Sequence, residues 1–578
     1  MRGALLAGLL ILTAACAKRQ ESAPGRLIVL RFENLSGNPA LDWMERGAAR
    51  QIASRVKGAT AVDSHQRQTE RERAIVTGAT RILHGYVSQS GGRLRLRAEL
   101  EDAASGTFPR SAESAGPVST GLVPLANAVA RQLDPGASAA GAKSDAGLSA
   151  YIGALDASDP GGAAESLSRA IAADPDFGAA YLTLIELSLA RKDRAMADRT
   201  VAMARARGAA ISLVDRARLD VAAAQMSGDA AALSQSLAAL SRLTPADQNL
   251  LRALADSELA SRRYPAAIGY YKKALAPQPG DATLLNALGY TQAYAGDLDG
   301  AVKTLREYER VRPAEANPLD SLGDVHFYWG RFSEAEKFYR QAYQRDAAFL
   351  NSASLVKAAK ARLMTGDVSG AEAVFAEYET ARRAANDPAI ASARAQWDYL
   401  RGKRSQAIRD LGTFVTTTKL REAGALADCT LTVWLLESGD RAGAAKHTAC
   451  RFLTDPHAAS FPSLVAKAYA LLLANDFLAA LPVLREVAAR VAPNPTEPAP
   501  VLLAWALVET GHFDEAEKYL QTVPVPSAPA PPLFESLIYP RFFYLRAKVA
   551  EKKGDRATAE RNLQLFQALS PVTSPKIL

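Results

Sequence analysis

Apolar residues recur every three or four positions through most of this chain, the interval of helices with one buried face, while two stretches near the N-terminus behave as strands. "RLIVLRFENL" reads as a strand closed by the turn-like "SGNPA", and "LDWMERGAARQIASRV" returns to helical spacing. In "RILHGYVSQSGGRLRLRAEL" the run after Gly91 and Gly92 alternates strictly. Leu94, Leu96, Ala98 and Leu100 face one way, and Arg93, Arg95, Arg97 and Glu99 the other, as in a half-buried hairpin. "TGLVPLANAVARQL" is amphipathic at the helical interval. Together these predict a small α/β domain over residues 26–134.

"DPGASAAGAKSDAG", rich in Gly, Ala and Ser, reads as a linker over 135–143. From residue 144 to 578 the chain repeats itself. A turn glycine precedes an alanine by five residues at Gly296 and Ala301, Gly330 and Ala335, Gly366 and Ala371, Gly402 and Ala407, Gly439 and Ala444, Gly511 and Ala516, and Gly554 and Ala559. Asn475 takes the glycine's place before Ala480, and Ala163, Ala197 and Ala267 extend the register upstream. From Ala301 to Ala516 the alanines stand 34 to 37 residues apart; the proline-rich stretch near 523–532 accounts for the longer last step, and a second such stretch lies near 492–500. Each glycine is expected to end a first helix in a left-handed cap. Ser333 with Glu336, Ser369 with Glu372, and Asp514 with Glu517 have the spacing of capping boxes opening the second helix.

This period resembles the tetratricopeptide repeat (TPR). Two copies carry its signature best: Ala282, Leu288, Gly289, Ala301 and Pro313, then Ala316, Leu322, Gly323, Ala335, Tyr339 and Ala342. The resemblance implies a mainly α fold, a right-handed TPR-type α-solenoid of about 12 helical hairpins preceded by the small α/β domain. Small residues at Gly289, Gly323, Ala301 and Ala335 would let helices approach closely around Leu288, Leu305, Tyr339 and Phe375, and Ala371, Ala407, Ala444, Ala480, Ala516 and Ala559 continue the structural signature. Carried over from that family, the groove-lining positions of a protein- or peptide-binding face are Asn286, Tyr290, Tyr294, Asp320, Asp324, Phe327 and Tyr328. With two aspartates such a groove would prefer basic or neutral segments. Packing between hairpins is the other reading of its aromatic residues. The N-terminal residues "LIVLRFENLSGNPALDWMERGAARQIASRV" and "GATRILHGYVSQSGGRLRLRAELEDAASGT" look like the TolB amino-terminal-like domain, related to the curli-assembly lipoproteins, with "FPRSAES" standing where a Trp-containing strand commonly follows. That resemblance implies an assembly or interaction module.

The first residues change the picture of where this architecture works. "MRGALLAGLLILTAACAKRQ" has an early positive charge at Arg2, an apolar run from Ala4 to Leu12, and small residues leading into Cys16. It resembles a bacterial lipoprotein signal over residues 1–16, followed by a short linker over 17–25. The resemblance implies lipid attachment at Cys16 and, with Ala17 next, an outer-membrane location facing the periplasm. A signal peptide cleaved near Ala15 is the alternative. Cys429 and Cys450 are the other cysteines; small buried thiols are the expected outcome, and a bridge in an oxidising compartment is geometrically conceivable as the second reading.

The chain has 578 residues, 48% hydrophobic and 22% charged, with a formal charge of +8. That length favours several domains or a repeat array over one core. Period-two alternation puts arginines on any solvated sheet face, so the Arg93 to Arg97 stripe does not call for nucleic acid. No phosphate loop, HExxH or CxxC occurs. "SRVK" at Ser54 and "SLVK" at Ser354 fit SxxK without the companion elements of that acyl-transfer class. His65, His84, His326, His447, His457 and His512 lack ligand spacing. The expectation is a protein without catalytic residues, metal or cofactor: a membrane-anchored TPR scaffold for protein–protein interactions in envelope assembly or export. A cytoplasmic regulatory TPR module and an envelope hydrolase with an unrecognised site are the alternatives.

Overall fold

The computed structural model describes residues 27–62, 79–245, 247–447, 461–490, 499–522 and 532–569. The signal segment with Cys16, the linker over 17–25, His65, Cys450, His457 and most of both proline-rich stretches lie outside them. The chain divides into two compact units, Met1–Asp247 and Gln248–Leu578.

In the first unit the expected N-terminal strand is two short ones, β1 (Leu27–Val29) and β2 (Glu33–Asn34). The interruption has a local cause. The Phe32 amide donates to the Glu45 carbonyl on helix α1 (Trp43–Arg55) at 3.1 Å, outside the sheet ladder. Its ring is fully buried where a side chain at Gly85 would otherwise sit: a Cβ there would meet the Phe32 ring at 2.6 Å and the Arg97 carbonyl at 2.0 Å. Strands β3 (Ala59–Ala61), β4 (Arg81–Ser90), β5 (Arg93–Asp102) and β6 (Arg110–Pro117) complete a mixed sheet in the order β3-β1-β4-β5-β6, with β2 also on β4. β1 is parallel to β3 and β4, and β4, β5 and β6 are antiparallel.

The turn at Gly91 and Gly92 holds Ser90 opposite Arg93, so Leu94, Leu96 and Ala98 are fully buried. On the other face Arg95 lies 3.3 Å from Glu113, and Arg97 lies 3.0 Å from Glu99. The sequence "FPRSAES" enters the edge strand β6.

Helix α2 (Leu122–Leu133) buries Leu122, Leu125, Ala126 and Val129 beside α1, β5 and β6. Next come α3 (Asp145–Leu155), α4 (Pro160–Ala173), α5 (Gly178–Ala190), α6 (Arg194–Arg207), α7 (Leu213–Ser227) and α8 (Ala230–Leu243). The stretch expected as a linker is pinned. The Gln51 side-chain amide donates to the Ala142 carbonyl at 3.0 Å and accepts from the Ala142 N–H at 2.9 Å. Asp145 accepts from the Leu122 and Val123 amides, capping a helix other than its own. One apolar core therefore runs from Leu27 to Leu219, and the boundary between compact units falls after Asp247 rather than at 135–143. A first hairpin with one face wet is stable only on a neighbour, and here α1 supplies it.

The second unit is helical throughout its described residues: α9 (Gln248–Ala260), α10 (Tyr264–Leu275), α11 (Ala282–Tyr294), α12 (Leu298–Val311), α13 (Asn317–Tyr328), α14 (Phe332–Arg345), α15 (Ala353–Leu363), α16 (Val368–Ala384), α17 (Ile390–Leu400) and α18 (Arg404–Thr417). It continues through α19 (Arg421–Glu437), α20 (Arg441–Ala444), α21 (Phe461–Leu473), α22 (Phe477–Arg490), α23 (Ala499–Glu509), α24 (Phe513–Thr522), α25 (Pro532–Lys553) and α26 (Arg556–Leu569). The fold class is thus mainly α, a TPR-type solenoid with a small sheet domain ahead of it.

Gly296, Gly330, Gly366, Gly402, Gly439, Gly511, Gly554 and Asn475 all take the left-handed conformation. Lys192 and Arg262 adopt it too, five residues before Ala197 and Ala267. The alanines from Ala301 to Ala516 are fully buried, and Ala559 nearly so. A Cβ at Gly289 would meet Leu305 at 2.7 Å, and one at Gly323 would meet the Tyr339 ring at 2.5 Å, so these glycines set the helix spacing.

The capping boxes are a correction. Where the second helix is capped by a side chain, the residue directly after the left-handed one does it: Asp297 accepts from the Gly300 N–H, Asp367 from Gly370, and Asp440 from Gly443. Ser333 and Ser369 already lie inside α14 and α16, and Asp514 inside α24. The longer final step is a second correction. The spacers 523–531 and 491–498 differ little, whereas α25 has 22 residues against 11 in α23. Within this unit Arg262 donates to the Ala488 carbonyl at 2.8 Å across 226 residues, tying the turn before α10 to the end of α22.

Candidate functional site

Two polar clusters interrupt the apolar packing of the first helices in the second unit. Asn286, Tyr290 and Tyr294 on α11 are spaced by four, as are Asp320, Asp324 and Tyr328 on α13, so each set shares a helix face. The Tyr290 hydroxyl donates to Asp324 Oδ2 at 2.8 Å, the Tyr339 hydroxyl on α14 to Asp324 Oδ1 at 2.8 Å, and the Ser321 hydroxyl to Asn286 Oδ1 at 3.0 Å. From α15, Lys357 Nζ donates to Asp320 Oδ2 at 2.6 Å and to Asp324 Oδ1 at 2.9 Å, while Ser354 Oγ donates to Asp320 Oδ1 at 2.8 Å. Tyr290, Tyr294 and Tyr328 form a triangle with ring centroids 6.1 to 6.4 Å apart.

Burial pushes the Asp324 carboxyl up; the Lys357 ammonium opposes this and neighbouring Asp320 adds to it. For Lys357, burial works against the charge, but Asp324 and Asp320 outweigh it and hold the ammonium above its ordinary value. The phenols of Tyr290 and Tyr339 are pushed well up, by burial first and Asp324 second, so both act as neutral donors.

The expected groove residues are therefore brought together, with one exception, but as a filled cluster rather than an open acidic channel. Asp320, Asp324 and Tyr328 are buried, and Lys357 sits between the two carboxylates. Phe327 turns into the core, edge-on to Phe332 at 5.3 Å, because it is one position off the shared face. The SxxK serine and lysine at Ser354 and Lys357 both bond to Asp320 and so serve this network. Ser54 donates to the Gln51 carbonyl.

The second cluster escaped sequence reasoning. Tyr399 on α17 stacks on Trp434 of α19, centroids 3.9 Å apart and planes 8° from parallel, and donates to Glu437 Oε2 at 2.6 Å. Arg541 of α25 lies over the Trp505 ring of α23 at 3.8 Å and is 3% exposed. Tyr469 of α21 is buried beside it. Burial lowers the Arg541 guanidinium from its ordinary value, Glu437 opposes that, and Arg404 adds to it. A signal was present: Tyr399, Trp434, Tyr469 and Trp505 recur at intervals of 35, 35 and 36 residues, one per repeat.

His326 stacks on Phe338, His447 Nδ1 lies 2.5 Å from Asp428, and His84 meets Phe108 edge-on. Among the described residues no group of three His, Cys, Asp or Glu side chains is placed to hold a metal, and no helix is long and apolar enough to cross a membrane. Cys429 is disulfide-bonded, its partner lying outside the described residues.

Models of the tetratricopeptide repeat family match residues 252–320, 317–349 and 471–533. No curated protein matches the sequence. Among solved structures, the chain is similar to the MamA protein at 15% identity, covering 29% of this chain and 92% of that one with a TM-score of 0.26. It is also similar to YrrB, described as a TPR protein with an unusual peptide-binding site, at 14% identity over 32% and 95% of the two chains, TM-score 0.28. A tetratricopeptide repeat protein from Parabacteroides merdae matches at 17% identity over 40% and 90%, TM-score 0.29. These stretches of the chain are tetratricopeptide repeats, modules whose general use is to hold proteins or peptides and which are typically not catalytic.

Proposed function

We propose that this protein is a non-enzymatic scaffold, anchored to the membrane by lipid on Cys16, that holds protein segments of an envelope assembly or export system along the first-helix face of its repeats. The observation that carries the reading is that face itself. Its side chains converge from α11, α13 and α15 in one place, with the half-buried Tyr290 and Tyr294 as rigid amphipathic surface packed on buried Tyr328 and a fixed charge cluster. The disulfide at Cys429 supports an oxidising compartment such as the periplasm. The α/β unit, by its resemblance to the TolB amino-terminal-like domain, adds a second interaction module.

Two measurements test this. Labelling cells with a radioactive fatty acid gives a labelled wild type and an unlabelled Cys16→Ser variant; an unlabelled wild type removes the anchor. Crosslinking in intact cells captures partners that the Tyr290→Ala plus Tyr294→Ala variant loses and that a Tyr294→Phe control, which leaves the Tyr290 bond to Asp324 in place, keeps. An unchanged set of partners removes the groove assignment.

A further inference from the structure

Helices α12 and α14 are the second helices of successive repeats, and the groove between them opens into a cavity of 590 Å³. Its floor is the buried Phe338 ring of α14, stacked on His326 of α13 with centroids 5.2 Å apart and planes 22° from parallel. Lys337, Gln341 and Arg345 follow at four-residue steps along one face of α14, and Arg306 with Glu309 at a three-residue step along α12, so each set lines the groove from one wall.

The repeat register shows what this groove lacks. Arg306 stands five residues after Ala301, as Arg340 does after Ala335. In the next groove along, Arg340 of α14 reaches across to Glu377 of α16 at 3.1 Å. Glu377 stands six residues after Ala371, and the same position after Ala335 is Gln341. Where the next groove has its bridging carboxylate, this one therefore has a neutral amide. Among the described residues no ion pair joins α12 to α14. Arg306 turns instead to Glu309 on its own helix at 2.6 Å, a partly exposed pair of the kind that holds weakly, and lies over the Phe338 ring at 4.8 Å.

The other cations of the groove are not cancelled either. Arg345 donates to the Pro313 carbonyl, a neutral acceptor, and Lys337 is exposed with no hydrogen bond or ion pair among the described residues. Three cations thus line the cavity with one carboxylate. Glu307 and Glu315 do not make up the difference, being matched by Arg310 at 2.6 Å and Arg312 at 3.6 Å. Eight residues of helix separate Lys337 from Arg345, about 12 Å along the axis. Two side chains four residues apart on an extended chain stand about 13 Å apart.

We propose that the groove between α12 and α14 binds an acidic segment of a partner protein, whose carboxylates take the place that Glu377 fills in the next groove and reach both Lys337 and Arg345. This goes beyond the first-helix face and gives the scaffold a second, separately addressed surface built from second helices alone.

The probe is a synthetic nine-residue peptide of alanine and serine with two glutamates four residues apart, titrated into the full-length protein at low salt. Wild type is expected to bind it. Gln341→Glu, which restores the bridging carboxylate from within, is expected to weaken binding about tenfold or more, and Lys337→Glu to do the same. Gln225→Glu on α7 makes the same charge change outside the groove and should leave binding as in wild type. A peptide of equal charge with its glutamates adjacent should bind more weakly. Equal binding to wild type and Gln341→Glu overturns the proposal, as does equal binding of the two peptides. Vesicles of anionic phospholipid form the last arm: if they bind through Lys337 and Gln341 while the peptide does not, the groove takes a lipid headgroup and the proposal falls. Gln341 and Lys337 lie outside the core, so these variants fold if the chain does. Every protein in the series keeps Tyr290 and Tyr294, so this groove and the first-helix face can fail separately.

Discussion

The two buried clusters of the second unit solve one problem in opposite ways. At Asp320 and Asp324 the charge is matched from the next hairpin: Lys357 arrives 37 residues after Asp320, at 2.6 and 2.9 Å, and phenols and hydroxyls take the remaining acceptor positions. At Glu437 the buried cation arrives 104 residues later, from a helix that crosses four others, and meets Arg404 on the way in. Local matching makes a joint between neighbouring repeats. Distant matching ties the last repeat back onto earlier ones, with Phe542, Phe543 and Leu545 of α25 fully buried in the same core.

The sharpest way to break this comparison is to remove the local cation. Lys357→Met leaves two carboxylates buried with no counter-charge, expected to cost about 3–5 kcal/mol and seen as a large fall in the denaturation midpoint of the repeat unit. A midpoint near wild type would mean that water already reaches the cluster, and the joint would be no joint. Next in size is Gly323→Ala. The added methyl meets the Tyr339 ring, which also holds Asp324, so overpacking by about 1–3 kcal/mol should move the helix pair and the hydroxyl together.

How much of this could be read in advance follows from the same residues. The left-handed turns were legible because Gly and Asn are the residues that tolerate them, and the buried alanines because each recurs five residues later. Lys192 and Arg262 in the same conformation were not, since their side chains give no backbone signal. The aspartate caps escaped because the eye follows Ser-x-x-Glu, whereas the pattern in use is the left-handed residue followed at once by Asp. The groove residues were found by repeat position, but their burial was not. That depends on Lys357 one repeat further on and on the left-handed run Leu350, Asn351 and Ser352 that aims the start of α15. The second cluster was least legible, because Arg541 reaches it through a helix whose crossing no local pattern announces.

A smaller effect sharpens the contrast from the other side. Arg541→Ala loses the stack on Trp505 and the attraction of Glu437 but also removes the repulsion from Arg404, so its cost should be about 1–2 kcal/mol, below that of Lys357→Met, in the same denaturation experiment. A loss as large as that of Lys357→Met would put the two clusters in one class.

The smallest expected effect is a pH dependence confined to the local joint. The folded-state value of Asp324 is raised above its ordinary 3.8, so the stability it contributes is fully present below that value and is lost as pH rises through the raised one. Lys357 is raised too, but its contribution is lost only above its ordinary 10.5, and the Tyr290 and Tyr339 phenols stay neutral well past 10. Midpoints of wild type and Asp324→Asn, compared from pH 4 to 8, should therefore show wild type losing ground to the variant as pH rises. If wild type gains instead, Lys357 holds Asp324 below the ordinary range and the joint is a fully compensated ion pair.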